Sequence, residues 1–381
     1  MIVKDEAHVL KRTLDCLLSH VKFDYYVVCD TGSTDGTQDL IKNYFTSKGI
    51  PGEVHQREWK NFGFNRSEAF SLAEGKSDYV FVFDADDYVH GKIDWPHKLD
   101  KDFYLFKFGP DFIYHRPLLF KNNLSWSFKC VLHEYAHSPL ASTNETIDGE
   151  YFLESGRSGS RNKDQKEKRE KDIKTLEEAI REEPENERYW FYLAEAYKDS
   201  EMYEKAVEAY EKRINLTGWD QETFFAFLQR ANCLKALNRD SEAVVNAYLE
   251  SFQFRPQRIE GLYEIGKNFR INNQFHQGLL FLSVAIKQKS TEDTLFIQKS
   301  NYEWEALDEY SICSFFCGFV DEALSASCEI LNRRNFPEYH RERLEKNKMF
   351  ALNQLRGERE KYPEEKINLL TQRNPLKEEY V

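Results

Sequence analysis

The chain has no excess of positive charge and no long hydrophobic run. Its formal net charge at pH 7 is −12 over 381 residues, which argues against nucleic acid as its main partner because neutralising phosphates needs a basic surface. Its apolar runs are short, as at residues 79–83, whereas a membrane-spanning helix needs about 18 apolar residues. The first residues, MIVKDEAHVLKRT, carry charges where a signal peptide needs an apolar core. We therefore predict a soluble, cytoplasmic protein without a membrane span.

Cysteine is too scattered to form a disulfide framework. The seven cysteines are odd in number and lie at positions 16, 29, 130, 233, 313, 317 and 328. Cys313 and Cys317 lie four residues apart in an amphipathic stretch, where small core residues are expected more often than metal ligands. Hydrophobic residues make up 41% of the sequence, which excludes wholesale disorder. The length allows two domains, each with its own core.

The first 155 residues alternate strand-like and helix-like segments. The predicted strands are 1–3, 25–30, 53–57 and 79–84, and the predicted helices are 7–19, 37–48 and 64–74. Strands that alternate with helices of this length predict an α/β domain with a mostly parallel sheet covered on both faces. Ligands of such sheets bind at the carboxyl ends of the strands.

From about residue 165 onward the sequence predicts helices and a repeat. Apolar and small residues recur at steps of roughly 34 residues, which is the period of the tetratricopeptide unit. The matching positions are Trp190, Leu193, Ala194, Tyr197, Ala206 and Tyr210; Ala231, Leu234, Ala243 and Ala247; Ile265, Gly266, Phe269, Gly278 and Leu282; and, more loosely, Tyr310, Ala323 and Ser327. Three or more such units bury a continuous core. Generic helical hairpins without true repeat geometry are the alternative.

The stretch VLHEYAHSP contains His133, Glu134 and His137 in the order of the zinc-protease pattern H-E-x-x-H. That zinc site requires a helix, which places both histidines on one face. The upstream residues 122–132 alternate as a strand does, and Pro139 follows directly, so a helix here would have barely one turn. We expect the pentapeptide to lie at a strand end instead, with both histidines in extended chain.

Acidic residues follow two of the predicted strands. Asp30 ends one strand and precedes a Gly/Ser turn, and Asp84 and Asp86 end another in FVFDADDYV. Paired carboxylates at the end of a buried strand are costly unless a cation or ligand neutralises them. An EF-hand loop counted from Asp84 fails, because its sixth position is Val89 rather than Gly and its twelfth is Trp95 rather than Glu.

Several stretches, taken in order, resemble family 2 glycosyltransferases of the GT-A fold. They are MIVKDEAHVLKRTL, VVCDTGSTDGT, NFGFNRSEAFSLAEGKSDYVFVFDADD and RPLLFKNN, the last followed by VLHEY. With the repeats, the arrangement is similar to that of some bacterial peptide glycosyltransferases. The resemblance implies a Rossmann-like GT-A domain that binds a nucleotide sugar at 1–160, an all-α tetratricopeptide-like repeat domain at 161–355 and a charged tail at 356–381.

The resemblance also implies roles for single residues. The donor nucleotide sugar, typically a UDP-sugar, would be bound by Val3, Glu6, Asp30, Arg66, Asp84 and Ala85. Asp30 would accept a hydrogen bond from the base, and Arg66 would face the diphosphate.

A divalent metal and a general base complete the implied site. Asp84 and Asp86 form a D-x-D motif that holds Mn²⁺ or Mg²⁺ against the diphosphate, and His133 is a candidate further ligand. Glu134 is implied as the general base that takes the proton of the acceptor, with inversion at the anomeric carbon. The acceptor would be a protein, a peptide or a glycan. The repeat domain is expected to bind that acceptor or a second copy of the chain.

The sequence departs from the family pattern at three places. The first strand has only three residues before Lys4, and Thr31 stands where many relatives carry a second acid. The segment FLESGRSGSR lacks the late histidine that many GT-A enzymes place on the metal. Arg157 and Arg161 of that segment either clamp phosphate or are solvated linker charges.

Two other functions stay open at this point. One is a catalytically inactive scaffold with the same fold, although the acids at 30, 84, 86 and 134 are intact. The other is a nucleotidyltransferase, which usually needs a basic, glycine-rich loop after the first strand. The corresponding KDEAHV has no glycine.

Overall fold

Strands and helices alternate through the first part of the chain, as the hydrophobic periods predict. The computed structural model describes residues 1–156, 165–357 and 363–372. Its first elements are β1 (Ile2–Val3), α1 (Ala7–His20), β2 (Tyr26–Asp30), α2 (Thr37–Ser47), β3 (Gly52–Gln56), α3 (Phe62–Ala73) and β4 (Tyr79–Phe81).

The first three strands form a parallel sheet in the order β1-β2-β3. Val3 lies opposite Asp30, and Val28 lies opposite Val54. The apolar stripe of α1 buries Leu10 and Leu14 in a cluster with Val28. Because β1 and β2 are parallel, the loops that follow them meet at one edge of the sheet.

The other strands mix both directions. They are β5 (Tyr88–Asp94), β6 (Phe103–Phe108), β7 (Phe112–Lys121), β8 (Ser127–Lys129), β9 (Tyr135–His137), β10 (Asn144–Thr146) and β11 (Asp148–Glu154). β11 pairs antiparallel with β5 and parallel with β6, and β7 pairs antiparallel with both β6 and β4. β10 pairs parallel with β6, and β8 forms a hairpin with β9. The prediction of a mostly parallel sheet is wrong here, since hydrophobic periods identify strands but not their direction.

Strand β4 is shorter than predicted. It ends at Phe81, three residues before Asp84, although Val82 N still donates to Leu118 O at 2.7 Å. Residues 84–87 then turn, with Asp87 N 3.4 Å from Asp84 O. The acidic motif therefore lies in a turn beyond the strand, not within it.

Helices make up nearly all of the described chain from residue 165. They are α4 (Gln165–Glu182), α5 (Glu187–Asp199), α6 (Tyr203–Asn215), α7 (Asp220–Ala236), α8 (Ser241–Phe254), α9 (Glu260–Ile271), α10 (Phe275–Ala285), α11 (Ala306–Phe316), α12 (Val320–Arg333), α13 (Arg341–Gly357) and α14 (Glu364–Gln372). α5 packs with α6, α7 with α8, α9 with α10, and α11 with α12. The predicted fold class, an α/β region followed by helical repeats, is confirmed.

The chain divides into two compact units, Met1–Thr217 and Gly218–Val381. The first unit contains the strands β1 to β11 and also α4, α5 and α6. The predicted domain limit between residues 160 and 161 follows the change in secondary structure instead, and it stays a prediction.

Two expectations for the helical part need correction. A two-residue strand, β12 (Ile297–Gln298), interrupts the helices where no strand was expected. The predicted charged tail contains α14, whose Ile367 and Leu370 are buried against Leu355 and other residues of α12 and α13. Two apolar residues three apart were enough to bury one face of this short helix. None of the helices that the structure describes is long and apolar enough to cross a membrane.

Candidate active site

The loops after β1 and β2 are held together by side-chain hydrogen bonds to backbone amides. Asp35 Oδ2 accepts from Ala7 N at 3.0 Å and its Oδ1 from Thr37 N at 3.1 Å, so one carboxylate binds the first amide of both α1 and α2. Asp5 Oδ1 accepts from Thr34 N at 2.7 Å, and Thr37 Oγ1 accepts from Glu6 N at 2.9 Å. The TGSTDGT turn and the KDEA segment therefore form one rigid edge of the sheet.

Asp30 is fully buried at the end of β2. Its Oδ1 accepts hydrogen bonds from Gly32 N and Ser33 N, both at 2.9 Å, and from Gln38 Nε2 at 3.1 Å. Its Oδ2 is buried and has no hydrogen-bond partner among the described residues. A buried carboxylate oxygen without a partner is costly, and a ligand that reached this atom with a donor group would remove that cost.

Arg66 joins the acidic turn to the loop that carries Glu134. Nη2 of its guanidinium donates to Asp84 Oδ1, and Nε donates to Glu134 Oε1. Arg66 lies on α3, where Asn61 caps the first turn by accepting from Phe64 N at 2.8 Å. The guanidinium is nearly buried, so these two charge-assisted contacts lie in a medium where they are strong.

Arg116 of β7 is a second cation at the acidic turn. Its Nη2 lies 3.4 Å from Asp84 Oδ2, and its Nη1 lies 4.0 Å from Asp87 Oδ2. Asp87 is buried and its Oδ1 accepts from Gly156 N at 3.0 Å. Gly156, which follows β11, packs so closely against the Asp86 carbonyl that a Cβ would collide with it. The end of β11 therefore closes directly onto the acidic turn.

Charge is distributed unequally within this turn. Burial would raise the pKa of Asp84, but the charges of Arg66 and Arg116 outweigh it and lower that pKa below its usual range. Burial, together with the negative charge of Asp84, raises the pKa of Asp87 to about 7. Asp84 therefore stays ionised beside the two arginines, whereas Asp87 is partly protonated at neutral pH.

The stretch with the H-E-x-x-H pattern does not form a helix, in agreement with the prediction. It does not form one continuous strand either, which differs from the prediction. β8 ends at Lys129, and His133 and Glu134 lie in the loop before β9, which contains His137. Cys130 and His133 have left-handed backbone angles, with φ of 74° and 52°. The expectation that His133 and His137 share an extended strand is therefore wrong, because alternating hydrophobicity does not reveal a turn made by non-glycine residues.

The ring of His133, predicted as a metal ligand, stacks on Tyr192 of α5. The two centroids are 3.7 Å apart, with an interplanar angle of 2°. Within the described parts of the chain, no group of three or more His, Cys, Asp and Glu side chains is arranged to hold a metal ion.

The remaining predicted residues lie in different surroundings. Val3 and Ala85 are buried in the same apolar cluster, and Val3 O accepts from Thr31 N at 2.9 Å. Arg157 and Arg161 lie outside the described residues. Of the predicted set, direct contacts join Arg66, Asp84 and Glu134. Asp30 ends β2, and Asp86 lies in the turn after β4, a strand of another sheet.

Sequence reasoning missed Arg116 and Asp87. Arg116 lies directly before Pro117, in the RPLLFKNN stretch that resembles the family, and Asp87 is the last acid of DADD. Their importance follows from contacts across β4 and β7, which are antiparallel neighbours. An isolated arginine in a strand pattern was the only signal available.

The comparisons with known proteins concern the two parts of the chain separately. The model of glycosyl transferase family 2 matches residues 1–99, and no curated protein matches the sequence significantly. Among the similar solved structures are three that cover about half of the chain at TM-scores below 0.5. MamA is 13% identical, with 46% of this chain and 94% of that chain covered and a TM-score of 0.36. YrrB, described as a TPR protein with an unusual peptide-binding site, is 10% identical, with 44% and 78% covered and a TM-score of 0.32. A tetratricopeptide repeat protein from Parabacteroides merdae is 15% identical, with 50% and 69% covered and a TM-score of 0.36.

The predicted resemblance to family 2 glycosyltransferases is confirmed, by the family model, for residues 1–99 of the chain.

Proposed function

We propose that this protein is a metal-dependent, inverting glycosyltransferase that uses a nucleotide-diphosphate sugar, most simply a UDP-sugar. The observation that carries the proposal is the contact of Arg66 with both Asp84 and Glu134, beside a family 2 match over residues 1–99. This contact joins the acidic motif expected at the donor diphosphate to the acid expected to act on the acceptor.

The buried Oδ2 of Asp30 supports a nucleotide donor. This atom has no hydrogen-bond partner among the described residues, and the ring N–H of a uracil would satisfy it. Asp30 lies opposite Val3, where β1 and β2 end. That is the edge at which parallel sheets bind nucleotides.

The charge of the acidic turn supports a divalent cation. The carboxylates of Asp84, Asp86, Asp87 and Glu134 share the site with the guanidinium groups of Arg66 and Arg116. Even without Asp87, whose pKa of about 7 leaves it partly protonated at neutral pH, three carboxylates outnumber the two guanidinium groups. Asp86, with Asp84, would hold Mn²⁺ or Mg²⁺, and His133 is kept as a candidate ligand. The bound metal would offset charge on the leaving diphosphate.

Glu134 is proposed as the general base. It would take the proton of the acceptor nucleophile while that nucleophile forms a bond to the anomeric carbon. The bond from that carbon to the diphosphate oxygen breaks, and the nucleoside diphosphate leaves with the electron pair. Attack from the face opposite the leaving group inverts the configuration. Arg66 keeps the Glu134 carboxylate oriented through its Nε contact.

The acceptor is proposed to be a protein, a peptide or a glycan, and the helical repeats are proposed to bind it or a second copy of the chain. Repeat arrays present extended surfaces of this kind. The chain's net charge of −12 favours protein contacts over nucleic acid.

The test is release of the nucleoside diphosphate from a panel of UDP-sugars by the purified full chain with Mn²⁺. We expect release that EDTA abolishes and that Mn²⁺ or Mg²⁺ restores. Asp86→Asn should lose this metal response while keeping its melting temperature. Asp94→Asn, which changes an exposed carboxylate of β5, is the matched control and should respond as the wild type does.

Other outcomes would select another function. Metal-dependent UDP binding without turnover of any UDP-sugar would favour the inactive scaffold. Formation of a nucleotide sugar from a nucleoside triphosphate and a sugar phosphate would favour a nucleotidyltransferase. Full activity of Asp86→Asn in EDTA would contradict the proposed metal site.

A further inference from the structure

The loop that carries Glu134 is short and has an unfavourable backbone. Cys130 and His133 both adopt positive φ angles without being glycine, and each such residue costs about 1 kcal/mol or more. Such a conformation persists only where surrounding contacts hold it. The contacts that hold this loop therefore also determine where the Glu134 carboxylate lies.

On one side the loop is held by α3. Gly63 packs so closely that a Cβ there would lie 2.5 Å from Cys130 O. Ser67 Oγ accepts from Phe128 N at 2.8 Å, and Arg66 of the same helix donates to Glu134. These contacts fix the start of the loop and the carboxylate itself.

On the other side the loop is held by α5, a helix of the predicted repeat domain. Tyr189 Oη accepts from Val131 N at 3.3 Å, and Arg188 Nε donates to His133 O at 2.9 Å. Tyr192 stacks its ring on that of His133. Residues 131 and 133 are thus both held by α5, immediately before Glu134.

Three features make α5 a firm support for the loop. Arg188 and Tyr192 are four residues apart and share one face of the helix. Arg188 also donates to Tyr192 Oη at 3.2 Å, and its guanidinium lies 5.3 Å from the Tyr135 ring. The next turns of the helix bury Phe191 completely and Leu193 almost completely.

We propose that Arg188 and Tyr192 are positioning residues for Glu134, so that the first helical hairpin is part of the active site of the glycosyltransferase domain. This inference rests on the proposed function for its catalytic meaning. Neither residue is assigned to the chemistry itself. They act by holding His133, and thereby the residue after it, in the conformation that presents the carboxylate.

The test uses full-length variants and two measurements. Arg188→Met removes the hydrogen bond to His133 O, and Tyr192→Leu removes the stack. Tyr192→Phe keeps the ring, and Tyr203→Leu on α6 serves as the matched control. The first measurement is turnover of the UDP-sugar selected by the screen above, with the affinity for UDP and Mn²⁺ measured alongside. The second is amide hydrogen exchange of residues 131–137.

We expect Arg188→Met and Tyr192→Leu each to lower kcat about 10-fold or more with UDP affinity unchanged, and to speed exchange of the loop amides about 10-fold. Tyr203→Leu should behave as the wild type does. Tyr192→Phe keeps the stack on His133 but loses the acceptor of the Arg188 contact, so its kcat and loop exchange should lie between those of the wild type and of Tyr192→Leu. In a Glu134→Gln background, Tyr192→Leu should cause no further loss of kcat, because both changes act through one carboxylate. A general loss of folding would instead lower kcat again.

The two proposals can fail separately. If the wild type turns over no UDP-sugar, the proposed function fails, and the exchange measurement alone decides whether α5 holds the loop. Unchanged loop exchange in both Arg188→Met and Tyr192→Leu overturns the inference. Wild-type kcat in both variants of an active enzyme also overturns it.

Discussion

Arg66 precedes Asp84 by 18 residues and Glu134 by 68, yet its guanidinium contacts both carboxylates. At the scale of single residues, this arginine defines the candidate site. Its planar group can serve two carboxylates at once, which a lysine ammonium does less well. The two carboxylates have different surroundings. Asp84 contacts the guanidinium groups of both Arg66 and Arg116, whereas Glu134 contacts only the Nε edge of Arg66 among these two arginines.

The proposed role of Glu134 predicts the effect of Glu134→Gln. Glutamine keeps the size and most hydrogen bonds of glutamate but cannot take a proton, so transfer should fall by roughly 100-fold or more. Affinity for UDP with Mn²⁺, measured by calorimetry, should stay near that of the wild type. Glu150→Gln changes an exposed carboxylate of β11 and is the control.

His137→Ala should have nearly no effect on turnover, since His137 is exposed in β9 and His133 lies outside that strand.

Retention of wild-type turnover by Glu134→Gln would contradict the role of Glu134 as the base. One equivalent of tightly bound zinc, lost on mutating His137, would instead support the metalloprotease pattern.

The hydrogen bonds of Asp35 predict that its contribution to the free energy of unfolding depends on pH. The Asp35 carboxyl is exposed. Its loss of hydration alone would raise its pKa, but hydrogen bonds from the Thr37 hydroxyl and from the amides of Ala7 and Thr37 lower that pKa. Because the pKa is lowered in the folded state, the stabilisation is complete above the unfolded value of 3.8 and is lost as the pH falls below it. Asp35→Ala should therefore lower the free energy of unfolding more at pH 7 than near pH 3.

Chemical denaturation of the wild type and the Asp35→Ala variant at pH 7 and near pH 3 measures this difference. The deficit of the variant should shrink at the lower pH, and Asp35→Asn, which can still accept hydrogen bonds, should lose less than Asp35→Ala. An equal deficit at both pH values would show that the charge of Asp35 does not support the two helices.

At the scale of elements, the amphipathic face of α14 is the least expected feature. Leu370 is 5% exposed within the cluster of α12 and α13, whereas its neighbour Leu369 is 69% exposed. Leu370→Ala should lower the stability of this helical region by about 2–4 kcal/mol. Leu369→Ala is a matched control and should change it by less than about 0.5 kcal/mol.

Thermal unfolding followed by circular dichroism compares these two leucine variants. Equal melting temperatures would mean that packing of α14 on α12 and α13 does not stabilise the helical region. The prediction of a charged tail at 356–381 would then be a sufficient description of this segment. A lower melting temperature of Leu370→Ala alone would support the packing of α14.

At the scale of the whole molecule, the proposed self-association predicts a concentration-dependent dimer. The helical unit exposes large apolar side chains, among them Leu280, Phe316 and Phe350, each about 60% exposed. Such residues mark interaction surfaces when they cluster. Sedimentation velocity over a wide concentration range should show a dimer that Phe316→Glu weakens. Tyr339→Glu, at an 81% exposed position, is the control.

A monomer at every accessible concentration would exclude the second copy as the partner of the repeats. The acceptor would then be the partner left for this surface. Weaker binding of the acceptor to this surface could be tested by comparing transfer to the acceptor for the wild type and Phe316→Glu.

Much of the fold could be predicted because hydrophobic periods depend on local geometry alone. The stripe of Leu10 and Leu14 in α1 and the apolar run of β2 were assigned to the correct element types, with ends within two residues. Recurring small and aromatic residues likewise identified the helical pairs, since close packing of two helices needs small side chains at repeated positions. The acids at 30, 84, 86 and 134 were chosen as candidates from their places at predicted strand ends and in a family motif, and their roles stay predictions.

Three features could be learned only from the tertiary structure. They are the direction of the strands, the conformation of the loop that carries Glu134 and the identity of the groups that contact the acids. Pairing of β4 with β7 brings Arg116 to Asp84, and no local period encodes that contact. His133, with its positive φ, contacts α5, which lies more than 50 residues later in the sequence. Sequence alone thus determined the type of the elements with a strong hydrophobic period and which residues carry charge. Only the tertiary structure decided which charges meet, because that depends on long-range packing of segments whose local patterns are independent of one another.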